Sequence, residues 1–142
     1  MRPITLRGRK IVEGHCRAEA LVSLMPISFL GGVDPADGKV TEKKHNLCGV
    51  CIKDKALCFP HGHGSTVGSY VLYSLAKKQL APKAIINKTA DPVVVVGAII
   101  ANIPMIDRVH IKQIETGDLV EVDAYNGLVR IWKNRGAESA CI

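Results

Sequence analysis

The run Gly62-His63-Gly64-Ser65-Thr66 carries the residue types and spacing best suited to chemistry. This glycine-rich turn leads into Val67, Val71 and Leu75, which repeat every four residues and predict one apolar face of a helix. The first N–H groups of a helix lack partners within it and attract anions. A serine placed there, Ser65, would have its alkoxide steadied by the helix dipole and nearby N–H groups, and could serve as a base or nucleophile. The commonest task of serine at such a point is an ordinary N-cap, and that reading stays open. The surrounding glycines, which a cap does not need, argue for something more. His61 and His63 flank the turn as candidate metal ligands, phosphoryl carriers or general acids, although the sequence fixes no third ligand. Cys48-Gly49-Val50-Cys51 is a C-x-x-C, with Cys58 beyond it, a pattern that can mean zinc or redox chemistry. A structural zinc site needs a second matched pair, and Cys16 and Cys141 are not spaced as one. Cysteine often packs as a small hydrophobe, and packing is the reading taken for Cys48, Cys51 and Cys58.

Several elements must position these groups. Residues 4–13 and 17–23 read as two strands around a turn at Gly14-His15. From Ser28 to Gly38 the chain reads as a loop with a tight turn at its end, marked by Gly31-Gly32, Asp34-Pro35 and Asp37-Gly38. Its glycines would let backbone come close to a ligand, or simply connect strands. Residues 55–60 read as a buried strand ended by Pro60, and the helix after Ser65 carries Lys77 and Lys78 in its last turn and is expected to stop at Pro82. Ala84–Asn87 is expected as a strand. The β-branched run Val93–Ala101 suits a strand, but Asp91-Pro92 is a cap followed by a first helical turn, so a short buried helix is expected. Residues 104–107 read as a strand, and Asn126-Gly127 predicts a hairpin between 119–123 and 128–131. Strands, a central helical unit, then strands predict a small mixed α/β domain rather than a doubly wound sheet.

A length of 142 residues fits one domain spanning 1–142. Aromatics at 4% leave an aliphatic core, and 47% hydrophobic residues exclude a disordered chain. The net charge of +6 is scattered over Arg7, Arg9 and Lys10, Lys43 and Lys44, Lys77 and Lys78, Lys133 and Arg135. No basic stripe with interleaved aromatics is visible, so an anionic small molecule or an acidic partner is expected rather than nucleic acid. The charged N-terminus without an apolar core segment predicts no signal peptide, and the longest apolar run is too short to cross a bilayer. Five cysteines do not form a secreted disulfide framework. A cytoplasmic location with no membrane partner is therefore expected. The tail from Lys133 to Ile142 has no clear pattern.

Several segments together resemble the swivel-domain family of aconitase X. They are the stretch from Gly14 through Leu21, Ile27-Ser28-Phe29-Leu30-Gly31-Gly32-Val33-Asp34-Pro35 with Gly38, and Gly64-Ser65-x-x-Gly68-Ser69-Tyr70-Val71-Leu72. Ala81-Pro82-x-Ala84-Ile85-Ile86, Gly97-Ala98-Ile99-x-Ala101-x-Ile103-Pro104 and Thr116-Gly117-Asp118 follow in the family's order. The Ser-Phe-x-Gly-Gly-Val-Asp-Pro segment is the most specific.

The resemblance implies a swivelling β/β/α domain with a small barrel-like core and a central strand–helix–strand unit. It also implies a small subunit that works with a separate large one. In that form it implies a hydro-lyase removing water from (R)-5-phosphomevalonate; fused relatives dehydrate cis-3-hydroxy-L-proline. An iron–sulfur cluster or iron is implied in the large subunit, so this chain is expected to supply no metal ligand. Ser65 matches the family's base. Gly64, Thr66, Ser28, Gly31, Gly32 and His63 are the implied substrate-binding residues. Where His63 stands the family often has arginine, and where Thr66 stands a second serine, so an anion contact from His63 depends on its protonation. Other readings are a dehydratase of another hydroxy acid, a phosphohistidine carrier using His61 or His63, and a basic RNA-binding module.

Overall fold

Four residues in one strand set the plan of the molecule. Within Ala56–Phe59, Ala56 and Cys58 join one apolar cluster while Leu57 and Phe59 join another, and all four are buried. The strand is thus covered on both faces, as parallel strands usually are. The computed structural model describes residues 2–134. Its strands are β1 (Ile4–Arg7), β2 (Arg9–Val12), β3 (His15–Val22), β4 (Ala56–Phe59), β5 (Ala84–Asn87), β6 (Met105–Asp107), β7 (Leu119–Asp123) and β8 (Leu128–Trp132). A short kinked turn, α1 (Phe29–Gly32), in which Leu30 and Gly31 leave helical backbone geometry, and two helices, α2 (Gly68–Lys77) and α3 (Pro92–Ala101), complete it with a 3-10 turn at Ile111–Gln113.

The sheet order is β1-β8-β7-β3-β4-β5-β6-β2. Pairs β3–β4, β4–β5 and β5–β6 are parallel and the rest antiparallel. Only Gly8 separates β1 from β2, so the sheet's two outer strands are neighbours in sequence and the sheet curls into a barrel-like form. Inside lie small or β-branched residues such as Ala20, Ala56, Cys58, Ala84, Val120 and Val129. Outside, over the parallel strands, Leu57, Phe59, Ile85 and Met105 meet Leu72, Leu75, Val94 and Ala98 of the two helices. Each fully buried leucine here contributes about 1.5–3 kcal/mol.

Three expectations need correction. The stretch 4–13 is not one strand, because Gly8 breaks it. The Gly8 N–H donates to the Gly127 oxygen at 2.8 Å, and a Cβ at Gly8 would stand 2.5 Å from the Asp107 oxygen. Strand β3 begins at His15 rather than residue 17, and pairs with β4 and β7 instead of β2. Helix α2 ends at Lys77, before Pro82, because Gln79 turns the chain with a φ of 60°.

The expected helix over the valine run is α3. Asp91 caps it by accepting from the Val94 N–H at 3.0 Å, Pro92 opens its first turn, and Asn102 ends it in a left-handed conformation. Its Gly97 lets α2 come close, since a Cβ there would lie 2.6 Å from Leu72 Cδ1 and 3.2 Å from Ser69 Cα. One charged group is buried at the barrel seam. Arg9 Nε and Nη2 donate to Asp107 Oδ1 and Oδ2 at 2.9 and 2.8 Å, and the Ala90 N–H donates to Oδ2 at 2.9 Å. Burial alone would raise the Asp107 carboxyl, but these bonds and the Arg9 and Arg108 charges outweigh it and hold the carboxyl below its usual range.

Candidate functional site at the head of helix α2

The loops that leave β3 and β4 are tied to each other at the C-terminal ends of the parallel strands. Ile27 bridges to Gly62, the Ile27 N–H donates to the His61 oxygen at 3.3 Å, and the His63 N–H donates to the Ile27 oxygen at 3.2 Å. This brings Ser28 against Gly64, where a Cβ would lie 2.5 Å from Ser28 Oγ. Gly64 has a φ of +95°, a backbone form that favours glycine. Gly32 is buried near Ser28, and Gly68 sits against Phe29 and the Leu30 nitrogen. Gly31 faces open space, with a φ of +84°. Thr41 holds this loop from behind through bonds to the Gly31 and Gly32 oxygens.

Ser65, Thr66 and Val67 form one exposed turn just ahead of α2. Ser65 Oγ accepts from the Val67 N–H at 3.1 Å, and the Gly68 N–H donates to the Ser65 oxygen at 2.9 Å. Ser65 therefore caps this turn, three residues before the helix proper. The backbone N–H groups of Gly64, Ser65 and Thr66 have no acceptor among the described residues. Three N–H groups without acceptors thus stand beside an exposed hydroxyl just ahead of the positive end of α2, a setting that attracts anions. Ser69 Oγ donates to the Thr66 oxygen at 2.8 Å, which fixes the turn onto the helix.

The fold thus brings Ser28, Gly32, Gly64, Ser65 and Thr66 together, with Gly31 on the rim. His63 joins them through its backbone, while its ring is exposed and unpartnered among the described residues. His61 Nδ1 lies 2.8 Å from the Gly62 oxygen, which makes Nδ1 the donor. The cysteines behave differently from one another. Cys58 is fully buried in the barrel, where burial first and the Asp118 charge second push its thiol up. Cys51 is half-buried and its thiol donates to the Asp37 oxygen, but Cys48 is exposed, so the packing reading does not extend to it. Cys141 lies outside the described residues.

Two groupings were not legible in the sequence. Ser23 and His45 meet in the interior at 3.0 Å, yet His45 Nδ1 accepts from the Leu47 N–H, so Nε2 carries the proton and donates to Ser23 Oγ. The serine in turn donates to the Met25 oxygen, which makes this pair a brace rather than a nucleophile and base. A cavity of about 280 Å³, lined by Leu24, Pro60, Lys88, His110, Ile111 and Lys112, opens at the same end of the parallel strands. Lys88 and Pro60 each directly follow a parallel strand, the one signal that could have marked them. Among the described residues no three His, Cys, Asp or Glu side chains converge as a metal site, and no helix is long and apolar enough to cross a membrane.

Comparison with known proteins gives a consistent result. A family described as "Aconitase X swivel domain" matches residues 5–131. A protein of Methanosarcina acetivorans named phosphomevalonate dehydratase small subunit is 49% identical over 97% of this chain and 98% of its own length. A crystal structure of Thermococcus kodakaraensis aconitase X in its holo-form superposes with a TM-score of 0.90 and 51% identity, covering 92% of this chain and 99% of that one. A 3-isopropylmalate dehydratase from Methanocaldococcus jannaschii has the same fold, with a TM-score of 0.56 at 17% identity over 89% of this chain and 86% of that one.

Proposed function

The chain belongs to the aconitase X swivel-domain family, and from that premise we propose that it is the small subunit of a two-subunit hydro-lyase that converts (R)-5-phosphomevalonate to trans-anhydromevalonate 5-phosphate. The observation that carries this reading is the near-full-length, 49% identity to a relative named phosphomevalonate dehydratase small subunit. Ser65 is the base. As an alkoxide, it takes a proton from C2, the carbon between the substrate's carboxylate and C3. The electron pair of that C–H bond becomes the C2–C3 double bond, and the C3 hydroxyl departs and leaves as water once protonated. The Val67 N–H bonded to Ser65 Oγ and the positive end of α2 favour the alkoxide. The unspent N–H groups of Gly64, Ser65 and Thr66 hold the negative charge that develops on the substrate carboxylate.

The iron–sulfur or iron centre implied by the family does not fit the residues described here. Cys58 is enclosed in the barrel, Cys16 and Cys51 are half-buried, Cys48 is exposed, and none of the four gathers with other ligand side chains among the described residues. The large subunit holds that centre in this reading, and the departure of the hydroxyl is the partner's part of the reaction. A partner is also supported by the outer face of the helices. Val67, Tyr70, Val96, Ile99 and Ile100 are exposed, although a helix as apolar all round as α3 is usually covered. The partner would then close over Ser65 and the Gly31 rim. The complex works in the cytoplasm and binds neither nucleic acid nor membrane.

The test is a dehydration assay on the two co-expressed subunits, reconstituted anaerobically with iron and sulfide. The pair should dehydrate (R)-5-phosphomevalonate, and neither subunit should do so alone. Turnover of cis-3-hydroxy-L-proline with none of phosphomevalonate would overturn the substrate assignment.

A further inference from the structure

We propose that the cavity walled by Lys88, His110 and Lys112 is the seat of the substrate's phosphate, a phosphomonoester dianion on a short aliphatic arm; this rests on the dehydratase reading above. The lining consists of those three basic side chains and the apolar Leu24, Pro60 and Ile111, with no acidic residue among them. Within the described residues the side chains of Lys88, His110 and Lys112 make no hydrogen bond or ion pair. Lys88 and Lys112 place two unpaired positive charges beside one concavity, a setting that an anion would neutralise.

The backbone under these groups is fixed. The Lys88 and Thr89 N–H groups both donate to the Pro60 oxygen, at 3.1 and 3.0 Å, and the Arg108 N–H donates to the Lys88 oxygen at 3.0 Å. Lys112 lies in a 3-10 turn whose Ile111 and nearby Ile114 are anchored in the barrel core. The placement also agrees with the proposed chemistry. Leu24, Pro60 and Lys88 lie just beyond the C-terminal ends of β3, β4 and β5, the edge where open parallel sheets take ligands. Pro60 leads directly into the His61–Ser65 turn. In this reading the substrate's carboxylate sits at the head of α2 and its phosphate here. The apolar wall distinguishes an organic phosphate from the free ion, because its carbon arm gains by covering Leu24, Pro60 and Ile111.

The experiment compares (R)-5-phosphomevalonate with unphosphorylated mevalonate by calorimetry on the two-subunit complex, and measures turnover in parallel. Lys88→Gln/Lys112→Gln should weaken phosphomevalonate binding and raise its KM about 10–100-fold, as expected for lost charge-assisted bonds. Mevalonate binding and kcat should change by less than about 3-fold, well under the loss of one such bond. Lys44→Gln, a change of an exposed lysine outside the cavity, should alter neither. An unchanged preference for the phosphorylated ligand in the double variant overturns the proposal. Loss of subunit association in place of a KM effect also overturns it, since the lysines would then face the partner. If the wild-type complex turns over phosphomevalonate but the double variant keeps its KM, the phosphate site fails and the dehydratase reading stands. If wild type does not turn it over, yet binds it more tightly than mevalonate in a manner that needs Lys88 and Lys112, the site stands and the reaction assignment falls.

Discussion

Replacing Gly64 by alanine tests whether the turn carrying Ser65 is built as described. Two costs follow from the structure. Gly64 has a φ of +95°, and an L-residue held in left-handed backbone costs about 1–2 kcal/mol. The new Cβ would also stand 2.5 Å from Ser28 Oγ, which must rotate away and give up its 2.9 Å bond to the Leu30 oxygen, about 1 kcal/mol. The sum is about 2–3 kcal/mol. A double-mutant cycle separates the two parts. Ser28→Ala removes the hydroxyl in advance, so Gly64→Ala on that background should cost only the backbone share. The coupling between the two changes should therefore be about 1 kcal/mol in the compensating direction. Urea unfolding followed by far-ultraviolet circular dichroism reads all four proteins. Additivity within about 0.5 kcal/mol would refute the contact between the two loops. A Gly64→Ala loss under about 0.5 kcal/mol would refute the strained turn itself.

Asp107→Asn keeps the shape of the side chain but removes the charge that Arg9 and the Ala90 N–H bind, and should cost about 2–3 kcal/mol in urea unfolding. Asp107 and Asp118 are both held below the usual carboxyl range in the folded protein. Their stabilisation is therefore complete above about pH 4, the ordinary carboxyl value, and lost as pH falls through the lower folded values. The acid-side drop in urea midpoint should be shallower in Asp107→Asn; an identical drop would contradict the role of this pair. Under thiol alkylation mapped by peptide mass spectrometry, exposed Cys48 should react well before Cys58, and buried Cys58 only on unfolding. Reaction of Cys58 at the rate of Cys48 in the folded protein would contradict its place in the barrel.

What the sequence revealed depended on whether the cause was local. The valine run of α3 reads as helix despite its β-branched residues, because the cap Asp91 and the first-turn Pro92 stand directly at its start. The hairpin at Asn126-Gly127 was equally plain. The break at Gly8 was not, because it depends on Asp107 and Gly127, which approach only in the closed sheet. The same division holds at the site. Gly64, Ser65 and Thr66 are contiguous and form a visible motif, and the Gly31-Gly32 loop is marked by its own glycines, but the substrate-binding role of Ser28 comes only through the family resemblance. Lys88, His110 and Lys112 are separated in the chain and gather only because β5 and the 3-10 turn end at one edge of the barrel. The C-x-x-C was a poor guide, since one of its cysteines is exposed and the other half-buried, with no further ligands around them.

Removal of the C2 proton by Ser65, as proposed, is decided by Ser65→Ala in the reconstituted two-subunit enzyme. The kcat for (R)-5-phosphomevalonate should fall by about 10²–10⁴-fold, the range for loss of a general base. Subunit association and the far-ultraviolet spectrum should be retained, because the Ser65 side chain makes one exposed cap bond and no core contact. A kcat within a few-fold of wild type in a correctly assembled complex would contradict the proposal and return Ser65 to the role of an N-cap.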